Sequence, residues 1–290
     1  LLRRAVMSIL NQTYKNYKLL IGNDYENEKI TFDSLKIKKT KKIEIFNHKK
    51  NLGERNNMNY LLNKTKTKWF IWLADDDYFH KELLSRLFDE VNKIKNKNAV
   101  ACYSNYSRVK LKNKIFKTTS IPLSKQRFLE GFSKKEIRLI GVFGLMKTST
   151  LKKIKGIHQT GKSFTIKGKK THHYPYCDPL VPIMLSNYGK IIWIDEKLVY
   201  LNTDSKSLSS FTKEYEVYLS AEDYVLREVN KVINSDFTNK SAILTNFVKW
   251  FLFNRNVVIR KNSLSNNIVN SFKYFSDCQK LIDNKDFDIS

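Results

Sequence analysis

Three consecutive carboxylates, Asp75, Asp76 and Asp77, follow the apolar run from Trp69 to Ala74. A run of this kind, with three aromatic residues, is typical of a buried strand. Carboxylates at the end of a buried strand repel one another and lose hydration, which is costly unless a cation lies among them. Mg²⁺ or Mn²⁺ suits such hard oxygen ligands, and Mg²⁺ is commonly held by one or two carboxylates together with substrate phosphates. The alternative interpretation is a solvated acidic turn or a set of caps for the next helix.

Other polar residues follow predicted strands in the same way, and Asp24 and His48 are the clearest examples. Strand-like and helix-like segments alternate here: strands over 17–22, 43–46, 69–74 and 99–106, and helices over 2–11, 51–63 and 81–95. This alternation predicts a doubly wound, mostly parallel α/β sheet. Because such sheets bind ligands beyond the carboxyl ends of their strands, Asp24, His48 and Asp75–Asp77 are expected on one side of the sheet.

The middle of the chain is less regular. A strand is predicted over 142–147 and a short helix over 149–155, followed by a loop that is rich in Gly and Lys and contains His172 and His173. Asp178 is predicted to cap a helix that begins at Pro179 and ends near Tyr188. Segments 191–194 and 198–201 are predicted to form a hairpin. After Ser210 the pattern is helical, over 215–232, 243–259 and 268–282.

Composition limits the class of protein. The chain has 290 residues, a hydrophobic fraction of 41% and a net charge of +25, so it is not an intrinsically disordered protein. Residues 1–211 hold 42 of the basic and 18 of the acidic residues, so nearly all of the positive excess lies there. Nucleic acid, anionic lipid headgroups and phosphorylated substrates are possible partners for this charge, and a Lys-rich composition is the alternative explanation.

Three cysteines, Cys102, Cys177 and Cys278, lie far apart, which favours a reducing compartment and neither a disulfide framework nor a zinc site. No secretory signal and no apolar run of about 18 residues is present, so a cytoplasmic protein is expected. The chain does not begin with Met, and we expect it to be a fragment.

The motifs from Leu1 to Ser210 resemble, in order, those of family 2 glycosyltransferases with a GT-A fold. The first helix ends in Asn11-Gln-Thr-Tyr14, the next strand ends at Asp24, and Asn51-Leu-Gly53 opens a segment that ends at Asn59. Ala74-Asp-Asp-Asp77 is similar to the Asp-x-Asp region of the family. The resemblance implies a GT-A domain over 1–210, and the change in charge balance then favours a separate helical region over 211–290.

The resemblance also implies roles for individual residues. Asp24, Asn51 and Gly53 would line the nucleotide site, Asp75 would lie near the ribose, and Asp76 would bind the metal. Asp77 could replace either neighbour as the working carboxylate. Asp178 matches the place of the general base, a role compatible with that of a helix N-cap. Arg55, near a helix start, is a candidate contact for phosphate, with a solvated helix face as the alternative.

Three features depart from the family pattern. The first strand of the family would precede Leu1, and Ala74 stands where many members carry another Asp. The segment Leu201–Ser205 also has no His, although the family often carries one there.

The sequence therefore predicts an inverting, metal-dependent glycosyltransferase that moves a sugar from a nucleotide-diphospho-sugar, with a UDP-sugar favoured, to a surface polysaccharide or glycolipid. Residues 147–178 are expected to form a mobile acceptor side. The enzyme is expected to attach peripherally to the inner face of a membrane. The alternatives are a basic nucleic-acid-binding protein and a non-catalytic sugar-binding relative, and the sequence makes no prediction of oligomeric state.

Overall fold

The structure is a computed structural model that describes residues 1–93, 96–108, 118–161, 164–166, 169–171, 174–202, 215–233 and 237–259. His172, His173, Cys278 and the predicted helix over 268–282 lie outside these residues. Within them, most helices and strands predicted from the sequence are confirmed, with ends that differ by at most three residues.

The first part of the chain forms a small parallel sheet between helices. Helix α1 (Leu2–Leu10) packs through Ala5, Val6 and Ile9, which are spaced to share one face. Strands β1 (Leu19–Asn23) and β2 (Ile43–Asn47) pair in parallel, from Leu19 opposite Ile43 to Asn23 opposite Asn47. Helix α2 (Glu54–Lys64) follows and packs against β1.

The central sheet has six strands: β3 (Trp69–Phe70), β4 (Tyr78–Phe79), β5 (Ala99–Ser107), β6 (Ile121–Leu123), β7 (Leu145–Lys147) and β10 (Lys190–Tyr200). The strand order is β3-β7-β5-β10-β4, and β6 also pairs with β10. The long ladder between β5 and β10 is parallel, whereas the short strands β3, β4, β6 and β7 pair antiparallel to their neighbours. The predicted α/β class is confirmed, and the sheet is mixed.

Helices cover this sheet. They are α3 (Leu83–Asn92), α4 (Lys125–Ser133), α5 (Thr148–Lys153) and α6 (Cys177–Leu185). The predicted loop between Gly156 and Tyr176 contains a short antiparallel hairpin, β8 (Phe164–Ile166) and β9 (Lys169–Thr171).

The strand expected over 69–74 is shorter than predicted. Only Trp69 and Phe70 form a ladder, because β3 lies at the edge of the sheet and its partner β7 begins at Leu145. The backbone N–H of Trp72 still donates to the Val142 carbonyl, at 3.4 Å. Of the segment from Trp69 to Ala74, only Trp72 is fully buried.

The hairpin predicted over 191–201 is wrong, because β10 is one continuous strand. Asp195 and Glu196 interrupt the apolar pattern as a turn would, yet the pairing with β5 shifts register there and continues. Glu196 is buried and accepts hydrogen bonds from Arg86 of α3 at 2.6 and 3.1 Å. Asp195 accepts one from the Asn105 amide at 2.6 Å. These partners satisfy the two carboxylates inside a strand.

Two helices end the described chain, α7 (Tyr215–Val232) and α8 (Lys240–Ile259). Helix α7 packs on α6 and α8 packs on α4. Val225, Val229 and Phe247 join the same buried cluster as the central sheet. The division at residue 210 stays a prediction. No helix in the described ranges has both the length and the apolar character needed to cross a membrane.

Candidate active site

The three consecutive carboxylates lie between β3 and β4 and differ in burial. Asp75 is exposed, Asp76 is half-buried, and Asp77 is only 9% exposed. One carboxylate oxygen of Asp77, Oδ1, accepts a hydrogen bond from the backbone N–H of Asn202, at 2.7 Å. This bond ties the carboxylate turn to the end of β10.

Burial and mutual repulsion raise the pKa values of two of these groups. Desolvation raises the pKa of Asp77 to about 6, and the charges of Asp76 and Asp75 add to the rise. The bond from Asn202 and the charge of Arg4 oppose it. The pKa of Asp76 is also raised, first by burial and then by the charge of Asp75. A cation among these carboxylates would relieve both costs.

Arg4 of α1 is a site residue that the sequence did not single out. One terminal nitrogen of its guanidinium, Nη2, donates to the Asp76 carbonyl oxygen at 2.6 Å. The guanidinium carbon lies 4.7 Å from the centre of the Tyr78 ring, a cation–π geometry. No local motif marks this arginine, because its partners lie more than seventy positions away.

The Asn11-Gln-Thr-Tyr14 motif has a structural role at this site. The side-chain amide of Gln12 is fully buried and donates to the carbonyls of Ser8 and His80, at 2.9 and 2.8 Å. Its Oε1 accepts from the backbone N–H of Leu84 at 2.9 Å. Gln12 therefore joins α1 to the start of α3, the helix that follows the carboxylate turn and β4.

A second group of predicted residues forms where β1 ends and α2 begins. Asp24 Oδ1 accepts the backbone N–H of Leu52 at 2.5 Å, and Asn51 Oδ1 accepts that of Gly53 at 2.8 Å. Gly53 has a φ of 81°, a conformation that glycine adopts without a steric cost. The structure thus brings Asp24, Asn51 and Gly53 together.

Asparagines that follow Gly53 complete this arrangement. Asn57 Nδ2 donates to the Gly22 carbonyl at 3.0 Å, and its Oδ1 lies 3.0 Å from His48 Nε2. The His48 ring is also held edge-on by Tyr60. Asn59 bonds both backbone groups of Ile157, at 2.9 Å each. These asparagines position the backbone around the site.

Arg55 is placed differently from Asp24 and its neighbours. Its Nη2 donates to Asn56 Oδ1 at 2.8 Å, and its guanidinium carbon lies 5.7 Å from the Tyr174 ring centre. Its Nε is buried and has no hydrogen-bond partner among the described residues. The position beside Tyr174 links the start of α2 to the segment that leads into α6.

Asp178 lies in the first turn of α6. The predicted N-cap role is wrong, because α6 begins at Cys177 and Tyr176 is the residue before it. Close packing holds this turn: a Cβ atom at Gly141 would lie 1.7 Å from the Asp178 carbonyl oxygen. The Tyr103 hydroxyl fixes the same loop by donating to the Gly141 carbonyl at 3.0 Å. Glycine at 141 thus allows α6 to approach β5.

Glu54, the first residue of α2, connects the carboxylate turn electrostatically with α6. Its negative charge raises the pKa of Asp76. The pKa of Cys177 is raised far above its usual value by burial first, and by the charges of Asp178 and Glu54 as well. Glu54 therefore lies within electrostatic range of Asp76 and also of Cys177, the residue before Asp178. The sequence did not single out Glu54, although it follows Gly53 directly.

Tyr176 directly precedes α6, whose first turn contains Asp178. It adopts a left-handed conformation, with a φ of 61°. Its hydroxyl donates to Oε1 of the buried Glu222 in α7, at 3.3 Å. Its ring lies 4.7 Å from that of Phe251 in α8. The C-terminal helices thus contact the residue that leads into the first turn of α6.

The donor set fits a hard divalent cation that shares its coordination with phosphate. In the described part of the chain, no group of three or more His, Cys, Asp or Glu residues forms a ready cage for a metal. Mg²⁺ needs only one or two carboxylates when substrate phosphates and water supply the remaining ligands. Asp76 and the free oxygen of Asp77, both with raised pKa values, are suitable ligands.

A family model described as glycosyl transferase family 2 matches residues 1–154, more than half of the chain. The chain belongs to glycosyl transferase family 2. Its motifs from α1 to the carboxylate turn and its α/β fold agree with this assignment.

Curated relatives cover part of this region. A glycosyltransferase of Rickettsia bellii is 32% identical over 108 residues, which are 37% of this chain and 15% of that protein. A second one, of Rickettsia typhi, is 30% identical over 112 residues, 39% of this chain and 34% of that protein. The matched segments thus span about a third or less of these relatives.

Solved structures share the fold of this family 2 chain. Residues 1–349 of TarS from S. aureus, in complex with UDP-GlcNAc, superpose with a TM-score of 0.68 at 13% identity, covering 96% of this chain and 76% of that one. The mannosyltransferase PcManGT of Pyrobaculum calidifontis, in complex with GDP-Man and Mn²⁺, gives a TM-score of 0.53 at 8% identity, with coverages of 97% and 76%. The GT-A fold predicted from the motifs is thereby confirmed.

Proposed function

We propose that this chain is an inverting, metal-dependent glycosyltransferase that moves a sugar from a nucleotide-diphospho-sugar to a hydroxyl acceptor. The observation that supports the proposal is that the Glu54 charge acts both on Asp76 and on Cys177, the neighbour of Asp178 at the start of α6. A metal ligand and a base on facing elements are what this reaction requires, because a diphosphate leaves from one side of the sugar as a hydroxyl attacks from the other.

The donor is proposed to be a UDP-sugar. TarS, the neighbour with the higher TM-score of the two described, is known in complexes with UDP and with UDP-GlcNAc. We propose that Asp24 contacts the uracil base of the nucleotide and that Asp75 contacts its ribose. Asn51 and Gly53 shape the backbone at the nucleotide.

Arg55 is proposed as a phosphate contact. It carries a buried Nε–H without a partner in the described chain, which a phosphate oxygen would satisfy.

The cofactor is proposed to be Mg²⁺ or Mn²⁺, held by Asp76 with Asp77 as the second ligand. The Mn²⁺ complex of PcManGT is consistent with this choice. When bound, such an ion stabilises the negative charge that develops on the leaving diphosphate. Arg4, which donates to the Asp76 backbone, keeps the carboxylate turn in place.

Asp178 is proposed as the general base. In the reaction, the acceptor oxygen forms a bond to the anomeric carbon while the bond from that carbon to the diphosphate breaks. The diphosphate leaves with the bonding electron pair, and the acceptor proton moves to the Asp178 carboxylate. Attack on the face opposite the leaving group inverts the anomeric configuration.

A surface polysaccharide or a glycolipid is the proposed acceptor, with a cytoplasmic enzyme attached peripherally to the membrane. Residues 147–178, which lead into α6, are proposed to form the acceptor side. Residues 1–210 are proposed as the transferase domain and 211–290 as an appended helical region.

Nucleic-acid binding is the second candidate function, because the chain carries a net charge of +25. Salt-sensitive binding of DNA or RNA without any turnover of a nucleotide sugar would favour that candidate.

Two conservative substitutions test the assigned roles. Asp76→Asn should abolish metal-dependent binding of UDP, measured by calorimetry with and without Mn²⁺. Asp178→Asn should leave that binding intact and lower turnover by about 10² to 10⁴, because only proton removal is lost. Asp33→Asn, at an exposed carboxylate outside the site, is the matched control and should change neither quantity. Near-normal turnover of Asp178→Asn would reject its role as the base.

A further inference from the structure

The side of the sheets opposite the candidate active site is formed by connections that carry lysine and no acidic residue. We call this surface the lysine edge; it comprises residues 15–18, 40–42, 64–68, 96–98, 147–153 and 186–190. These segments contain twelve lysines and no Asp, Glu or Arg: Lys15, Lys18, Lys41, Lys42, Lys64, Lys66, Lys68, Lys97, Lys147, Lys152, Lys153 and Lys190.

Strand pairing places these segments side by side. In the small sheet, the Leu19 N–H donates to the Lys42 carbonyl at 2.8 Å, so β1 and β2 start together. In the central sheet, the Lys190 N–H donates to the Asn98 carbonyl at 3.0 Å, so β5 and β10 also start together.

The start of β3 and the end of β7 meet at the same edge. Trp69 lies opposite Lys147, and the Thr148 N–H donates to the Lys68 carbonyl at 3.0 Å. Strand β7 is antiparallel to β5, so its last residue lies near the first residues of β5.

Side-chain contacts join the remaining segments. The Lys152 ammonium donates to the Thr65 carbonyl at 2.9 Å, and the Lys153 ammonium lies 4.5 Å from the Tyr188 ring centre. Helix α2 begins beside Asp24, at the end of β1, and ends at Lys64, beside the start of β3. The two sheets therefore present their strand starts in the same direction.

The positive charge of this surface is exposed and uncompensated. Eleven of the twelve lysines are exposed, and Lys147 is half-buried. Across the described ranges, none of the twelve forms an ion pair with a carboxylate. The opposite side carries the acidic residues Asp24, Glu54, Asp75–Asp77 and Asp178. That side also carries the basic residues Arg4, Lys49, Lys50 and Arg55, so the lysine edge is distinguished by holding positive charge alone.

We propose that the lysine edge docks on the anionic headgroups of a lipid bilayer. Lysine is a compact point charge without the planar fork with which Arg recognises phosphates and bases in nucleic acid, so an all-lysine surface suits a diffuse anionic plane. Aromatic rings lie under several of these ammonium groups: Lys42 over Tyr17, Lys68 over Trp69 and Lys153 over Tyr188. Trp and Tyr are the residues enriched where proteins meet the membrane–water interface.

The inference gives the proposed membrane attachment a specific surface, and it does not depend on the glycosyl-transfer reaction. Strand β10 runs from Lys190, at the docked edge, to Tyr200, and Asn202 just beyond it bonds Asp77. At about 3.3 Å per residue this strand spans about 30 Å, so the docked edge and the carboxylate turn are well separated. Loss of docking should therefore leave the chemistry at the carboxylates unchanged.

Flotation with vesicles tests the proposal. The edge variant changes Lys18, Lys41, Lys66, Lys97 and Lys190 to Gln, five exposed side chains for which no hydrogen bond, ion pair or ring contact is seen. The control variant changes Lys29, Lys81, Lys134, Lys197 and Lys249 to Gln, which removes the same charge from exposed positions elsewhere. Vesicles of phosphatidylglycerol mixed with phosphatidylcholine are compared with phosphatidylcholine alone at low and high salt.

The wild-type chain and the control should bind the anionic vesicles at low salt and not the neutral ones. The edge variant should bind about 10² to 10³ times more weakly, since each lysine near the surface contributes appreciably to binding. Circular dichroism and thermal melting verify that both variants fold. Three results would overturn the proposal. The first is that the wild type does not bind the anionic vesicles, and the second is that both variants lose binding equally. The third is that the wild type binds a short DNA duplex more tightly than the vesicles and that the edge variant loses this DNA binding.

Discussion

Gln12→Met should destabilise the folded chain by about 3 kcal/mol. The Gln12 side chain is fully buried and makes three hydrogen bonds, to the carbonyls of Ser8 and His80 and from the N–H of Leu84. Methionine matches the length of glutamine and supplies none of these bonds. Each buried backbone group left without a partner costs about 1–3 kcal/mol, and part of this is recovered by the apolar side chain.

The hydrogen bond from the Leu84 N–H to Gln12 also stabilises the first turn of α3. The residue before α3, Glu82, makes no side-chain hydrogen bond to the first turn of that helix. Gln12 bonds the Leu84 N–H in that turn, so it acts as the missing cap, and loss of a cap typically costs about 1 kcal/mol. The substitution should thus loosen α3 where it follows the carboxylate turn.

Equilibrium unfolding in urea measures this change. The matched control is Gln159→Met, because Gln159 is exposed and its amide makes one hydrogen bond, to the Gly161 carbonyl at 3.2 Å. The control should stay within about 0.5 kcal/mol of the wild type. A loss below about 1 kcal/mol for Gln12→Met, or an equal loss in both variants, would refute the proposed anchoring role.

Two further predictions concern Asp77 and Tyr176. The pKa of Asp77 is raised to about 6 in the folded chain, so its ionised form opposes folding: stability is fully present below about pH 4 and falls as the pH rises through about 6. When metal is removed with a chelator, the Asp77→Asn variant should therefore be about 1–2 kcal/mol more stable to unfolding than the wild type at pH 8, a figure reduced for solvent screening. This difference should vanish at pH 4. An equal difference at both pH values would contradict the raised pKa of Asp77. Tyr176→Phe removes the hydroxyl that donates to Glu222 and should loosen the first turn of α6, where Asp178 lies. We expect kcat to fall about three- to tenfold while the KM for the donor is unchanged. A change in KM alone would show that Tyr176 does not position Asp178.

Local sequence signals located the elements that hold the site. The spacing of Ala5, Val6 and Ile9 predicted α1, and the apolar runs before Asp24 and Asp75 predicted extended segments that lead to the site. These signals succeed because the residues that determine each element are neighbours in the chain. The family resemblance, and not these local signals, grouped Asp24, Asn51 and Gly53, and the structure brings these residues together.

The failures have long-range causes. Asp195 and Glu196 have the local pattern of a turn, and partners far away in the sequence satisfy them inside a strand: Asn105 for Asp195, 90 positions away, and Arg86 for Glu196, 110 positions away. Periodicity likewise could not find Arg4 or Glu54, because their effect on Asp76 depends on the packing of α1 and α2 against the carboxylate turn. Asp178 lost its predicted N-cap role because the left-handed Tyr176 starts α6 earlier.

Metal-dependent turnover of a nucleotide sugar tests the central claim most directly. The chain is stripped with EDTA, a set of UDP-sugars is added with a saccharide or glycolipid acceptor, and release of UDP is followed with and without Mn²⁺. We predict release of UDP with at least one donor in the presence of Mn²⁺, little without it, and none for Asp76→Asn. Equal release with and without metal, or no turnover and no binding of any nucleotide sugar, would contradict the proposed function.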